Sequence, residues 1–136
     1  MFYNCDGFKG KLILPSSLES IGIRSFSQCS GFTESLSIPS KIKRIENEAF
    51  YQCNGFNGNL VLSDNLEFIG DRSFSGCDGL TGELKIPSKV EQIGIESFSL
   101  CSGFSGELIL PDSLKSIGNQ AFSFCSGFSG NLILPS

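Results

Sequence analysis

The amino-acid sequence predicts an α/β solenoid that is mostly β, in which short strands of successive coils stack around a common core. Two observations carry this prediction. Phenylalanine and cysteine recur with a strict 24-residue period along the whole chain, without an insertion or a deletion, and each repeat contains a short run of alternating apolar and polar residues. A third supports it: one unit has too few apolar side chains to fold by itself, so neighbouring units must share a core.

The repeat is defined by columns of residues that recur with this period. Each cysteine is preceded by a phenylalanine at three residues' distance and followed by a glycine two residues later. Two apolar residues, separated by one position, come next, and in most units a proline follows them. The cysteine column consists of Cys5, Cys29, Cys53, Cys77, Cys101 and Cys125.

The run "ELIL" at 107–110 shows how one unit builds its strand. As a strand it points Leu108 and Leu110 to one side and Glu107 and Ile109 to the other. Proline cannot donate a hydrogen bond to a sheet, so Pro111 is expected to end the strand and start a turn.

The rest of the unit closes the coil. Leu114 and Ile117 are expected to point inward, with a second short bridge between coils, and Gly118 permits the backbone to reverse. The segment 119–125 is too short for a stable helix and predicts a single 3₁₀ or α turn that packs its phenylalanine and cysteine inward.

The even number of cysteines raises the alternatives of disulfides and a metal site. Zinc sites need closely spaced ligand pairs, whereas these thiols occur once in each repeat and the chain has no histidine. Parallel Cβ directions in a stacked column also hold the Cβ atoms too far apart for a disulfide. The sequence therefore predicts reduced, buried thiols that act as small apolar side chains, with Cys5 and Cys125 the most exposed.

Composition excludes several functional classes. The net charge is −4, without a run of Lys and Arg, so no nucleic-acid partner is expected. No apolar stretch approaches the roughly 18 to 20 residues that cross a bilayer, and the first residues lack the features of a signal peptide. Without histidine, the serines have no ordinary catalytic base. We therefore expect no enzyme activity, no cofactor and no metal.

Outward positions of the strands remain as candidates for a protein partner. They change from unit to unit, and several are apolar where water-facing strands tolerate polar residues. The alternative explanation is ordinary β-propensity, which favours Ile and Val at exposed strand positions. A second set, Phe68, Leu100 and Phe124, interrupts otherwise polar columns and suggests a patch on the sides of the solenoid. The candidate protein-binding residues are Lys11, Ile13, Ser37, Asn59, Val61, Glu83, Lys85, Glu107, Ile109, Asn131 and Ile133.

The full pattern, G-F-x-G-x-L-x-L-P-x-x-L-x-x-I-G-x-x-x-F-x-x-C, resembles the BspA-like leucine-rich repeats of the Treponema pallidum type, which occur in surface proteins of bacteria and protists. The resemblance implies a right-handed solenoid with a parallel β-sheet on its concave face and short turns or 3₁₀ segments on its convex side. It also implies a cell-surface or secreted parent protein that adheres to host or matrix proteins.

The sequence thus predicts one domain, 1–136, of about five and a half repeats without capping units. Its uncapped ends could also associate end to end. A protein-binding or adhesion module is the first functional hypothesis, and a structural spacer or an intracellular interaction scaffold is the alternative.

Overall fold

We describe the protein from a computed structural model, which describes residues 2, 4–5 and 7–135. Each coil alternates between short strands and turns, and strands of successive coils pair in parallel. No helix forms in these residues. In chain order, the strands are β1 (Gly10–Lys11), β2 (Phe32–Thr33), β3 (Leu36–Ser37), β4 (Arg44–Ile45), β5 (Leu60–Val61), β6 (Phe68–Ile69), β7 (Gly82–Glu83), β8 (Gln92–Ile93), β9 (Phe104–Ile109), β10 (Ser116–Ile117) and β11 (Phe128–Ile133).

The first set of parallel pairs lies in the alternating run of each unit or just before it, close to where the sequence predicts the strand. β1 pairs with β2, β3 with β5, and β9 with both β7 and β11. Leu108 faces Leu132, its equivalent in the next repeat, whereas Gly106 faces Phe128 and not its own equivalent, Gly130. Gly106 has a φ of +75°, a backbone conformation that glycine adopts without strain. This glycine column therefore lies where the register shifts, as in a β-bulge.

A second parallel sheet forms where the sequence predicts a short bridge. β4, β6, β8 and β10 pair in that order, and the isoleucine of each strand faces the isoleucine of the next. Ile69 is fully buried, while Ile117 is 44 % exposed. Ile117 faces Ile93 and so continues the inward column, but it is exposed because no later coil of the described residues packs over it.

The segment on the opposite side of the coil forms turns, but not the expected 3₁₀ or α turn. The N–H of Cys101 donates to the carbonyl of Phe98 at 3.3 Å, and Leu100 between them has a φ of +62°. A left-handed residue at this position makes a type II β-turn and excludes a helical one. Alternate N–H groups consequently point at the next coil, as in Phe98 N–H to Ala121 C=O at 2.8 Å.

The core is continuous from coil to coil, as predicted. Phe50, Cys53, Leu60 and Ile69 all lie inward and are at most 4 % exposed. Successive phenylalanine rings stack at 5.3–5.5 Å and within 11° of parallel, because each coil repeats the same inward column. This stack consists of Phe2, Phe26, Phe50, Phe74, Phe98 and Phe122.

The cysteines form their own column beside this stack. Four of them are buried, and Cys5 and Cys125 are half-buried. Burial raises the pKa of the Cys53 thiol to about 12 and that of Cys77 well above its ordinary value. Thiols with such raised pKa values stay protonated at neutral pH, so they pack as apolar groups that carry one S–H donor.

Candidate interaction surface

Strand alternation places two columns of side chains on the outer face of the first set of parallel strand pairs. In β9, Leu108 is 7 % exposed and faces the core, whereas its neighbour Ile109 is 52 % exposed. All eleven residues that the sequence singles out are exposed on this face. We call the surface that these eleven residues form the sheet face.

One column of the sheet face is largely apolar. Ile13, Val61 and Ile109 are each more than half exposed. Ile133 faces Ile109 directly across the β9–β11 pair. Lys85 occupies the same column between Val61 and Ile109. Two apolar side chains, Val61 and Ile109, are therefore two coils apart, with the single cation Lys85 between them.

Two grooves run between the strands in the middle of the sheet face. Glu83 and Lys85 line both and separate one from the other. The first groove, of about 310 Å³, is closed on its other side by Val61 and Asp64. The second, of about 380 Å³, is bounded by Glu107 and by the exposed Ile109. A side chain of a partner could enter each groove.

The grooves are acidic. Asp64, Glu83 and Glu107 line them together with a single cation, Lys85. Within the part of the chain that the structure describes, none of these four side chains forms an ion pair. Glu107 Oε1 accepts a long hydrogen bond from Asn131 Nδ2 at 3.4 Å. The carboxylates thus remain available to a cationic partner.

The second set of apolar residues does not come together. Phe68 is half-buried in β6, and the guanidinium of Arg44 lies 4.0 Å from its ring centre. Leu100 and Phe124 share a different column, where they are 50 % and 74 % exposed. The hypothesis of one lateral patch that contains all three residues is therefore wrong.

Sequence reasoning missed a ladder of alternating charge on the turn side of the coils. The guanidinium of Arg24 pairs with Glu48, and that of Arg72 lies 3.9 Å from Glu48 and 2.8 Å from Glu96. Arginine and glutamate alternate at this column, so the pattern repeats at every second unit. That longer period is the signal in the sequence that could have revealed the ladder.

Within the described residues, no group of three His, Cys, Asp or Glu side chains is arranged to hold a metal ion. These residues also include no helix with the length and apolar character that a membrane crossing requires.

The chain belongs to the BspA-type leucine-rich repeat family. The family model matches six copies of the repeat over residues 1–129. Proteins of this class are non-enzymatic repeat proteins that generally serve as protein-interaction modules, and the family is generally surface-associated. No curated protein sequence matches the chain.

Two solved structures resemble the coil stack. A leucine-rich repeat protein of Bacteroides ovatus is 31 % identical with a TM-score of 0.75, and the match covers 90 % of this chain but 30 % of the other. The leucine-rich repeat protein of T. pallidum is 29 % identical with a TM-score of 0.73, over 85 % of this chain and 55 % of the other. This chain thus spans about a third and about half, respectively, of those proteins.

Proposed function

We propose that the protein is a non-enzymatic adhesion module that binds a host or matrix protein through the sheet face, which is the concave face of the solenoid. One observation carries the proposal: Val61 and Ile109 are more than half exposed on strands whose neighbouring side chains, Leu60 and Leu108, are buried. Exposed apolar side chains beside unpaired charges are typical of protein-binding surfaces. A surface location of the parent protein agrees with this role.

The test measures binding of the chain to a panel of purified extracellular-matrix proteins by surface plasmon resonance. Ile109→Asp is expected to abolish binding, because it places a charge in the apolar column. Ile23→Asp is the matched control, since Ile23 is 55 % exposed but lies outside the sheet face. Both substituted side chains are exposed, so both variants are expected to fold.

Binding that survives Ile109→Asp, or a chain that binds no matrix protein, would contradict the proposal. An inert chain favours the structural spacer. Antibody labelling of intact and of permeabilised source cells separates a surface module from an intracellular scaffold, because only the former is labelled on intact cells.

Two further expectations remain proposals. Residues 1–136 form one domain without capping units, and copies associate end to end. The end-to-end association is supported by apolar residues of the core columns that are exposed in the outer coils. Phe8 is 53 % exposed and Leu132 is 60 % exposed. Sedimentation measures the mass in solution of the wild type and of Leu132→Asp. Equal masses for the two would contradict association through this coil.

A further inference from the structure

We propose that the two acidic grooves of the sheet face bind an extended, cationic peptide segment in the polyproline II conformation, with an apolar side chain at every third residue. This inference rests on the proposed function and names the kind of partner segment that the surface fits.

Spacing of the apolar side chains indicates the conformation. Val61 and Ile109 occupy one column two coils apart, which at about 4.8 Å per strand is about 9.6 Å. A polyproline II helix returns to the same face every three residues, a rise of about 9.3 Å. A β-strand returns to the same face about every 6.7 Å and so does not match. An α-helix returns to the same face about every 5.4 Å, once per turn, and so does not match either.

Charge indicates the sequence of the segment. Three carboxylates, those of Asp64, Glu83 and Glu107, line the grooves with one ammonium, that of Lys85. A basic side chain between two apolar anchors would lie over Glu83 and Glu107, which have no cation partner in the described residues. Such charge-assisted contacts add orientation and specificity to the apolar contacts.

The two ends of the sheet face differ in charge. Its first coil carries Lys11 at the column that holds Glu83 and Glu107 later in the chain. A cationic segment is therefore expected to bind over the middle coils and not over the first coil. Ile23, which is 55 % exposed but lies outside the sheet face, provides the control position.

The experiment uses fluorescein-labelled peptides with three repeats of Val-Lys-Pro, Val-Glu-Pro or Ser-Lys-Pro, and measures binding to the whole chain by fluorescence anisotropy. The Val-Lys-Pro peptide is expected to bind about tenfold more tightly than either of the other two. Ile109→Ser and the double variant Glu83→Gln, Glu107→Gln are each expected to weaken its binding about tenfold. Ile23→Ser, outside the sheet face, is expected to leave binding unchanged, and Lys85→Gln to strengthen it.

Equal binding of the three peptides would overturn this inference. So would no binding up to about 1 mM peptide, or an equal effect of Ile23→Ser and Ile109→Ser. Failure of the peptide experiment alone, with matrix binding still lost in Ile109→Asp, rejects the peptide conformation and keeps the proposed function. Matrix binding that survives Ile109→Asp rejects the proposed function itself.

Discussion

The thiol of Cys77 donates a hydrogen bond to the main-chain carbonyl of Phe50, one coil earlier in the stack, with an S···O distance of 3.1 Å. The same carbonyl also accepts the N–H of Cys53 from its own turn at 3.2 Å. The pattern repeats, since Cys101 donates to Phe74 at 3.1 Å. Each of these carbonyls therefore connects its own turn to the next coil. The cysteine side chains thus add hydrogen bonds between coils to their packing in the core.

Cys77→Ala is expected to lower the free energy of unfolding by about 2 kcal/mol, because it removes both a buried sulfur and a hydrogen-bond donor. Cys77→Ser keeps a donor and should lose less. Urea denaturation measures both variants. Cys125→Ala is the control: Cys125 is half-buried, so its replacement should cost less than that of Cys77. Equal losses in the two alanine variants would contradict this account.

Alkaline pH is expected to destabilise the fold through the buried thiols. Burial raises the pKa of Cys53 from 9.0 to about 12, so the native state holds this proton more tightly than the unfolded state does. The resulting stability is complete below about pH 9 and is lost as the pH rises toward 12. The urea midpoint between about pH 8 and pH 11 measures the loss. The variant Cys53→Ala should show a shallower pH dependence than the wild type, and an unchanged slope would refute the assignment.

Ser73→Ala and Ser97→Ala are expected to raise the free energy of unfolding by up to about 1 kcal/mol. Both hydroxyl oxygens are buried without a hydrogen-bond partner among the described residues, and a buried polar group without a partner is costly. Ala49 in the same column shows that alanine fits the site.

Ser25→Ala is the control for this column, because the hydroxyl of Ser25 donates to the carbonyl of Gly22 at 2.8 Å. Loss of this hydrogen bond should leave the free energy of unfolding unchanged or should lower it. Thermal unfolding compares the three variants, and a clear loss of stability in Ser73→Ala would show that its hydroxyl has a stabilising partner.

Glu34→Gly is expected to stabilise the protein by about 1 kcal/mol. Glu34 has a φ of +67° in a column where Gly10, Gly82 and Gly106 have φ between +75° and +92°. A glycine relieves the strain of a left-handed side-chain residue, although it also loses more conformational entropy. Chemical denaturation measures the change. The opposite kind of change in the same column, Gly106→Ala, should lower the free energy of unfolding. A loss of stability in Glu34→Gly would mean that contacts of the glutamate side chain outweigh the backbone strain.

The sequence was informative about the interior because every coil places the same columns inward. Phe50, Leu60 and Ile69 could be placed in the core from periodicity and strand alternation alone. The same alternation placed Ile109 and Lys85 on the outer face, although it could not place the grooves between them. The 3₁₀ or α turn expected at 119–125 was mispredicted because, in the equivalent turn at 98–101, alternate N–H groups bond to the next coil, a tertiary contact that outweighs local turn preference.

By itself, then, the sequence determined the coil length, the stacked architecture and which side chains face the core, because these follow from a strict 24-residue period. Only the tertiary structure decided which groups meet between coils. Arg72 lies between Glu48 and Glu96, and Cys77 reaches Phe50. The physical reason is that the offset between coils is not uniform. Some sheet pairs join equivalent positions of two repeats, others are shifted, and the thiol bonds are offset further, so the backbone path of each coil sets its partners.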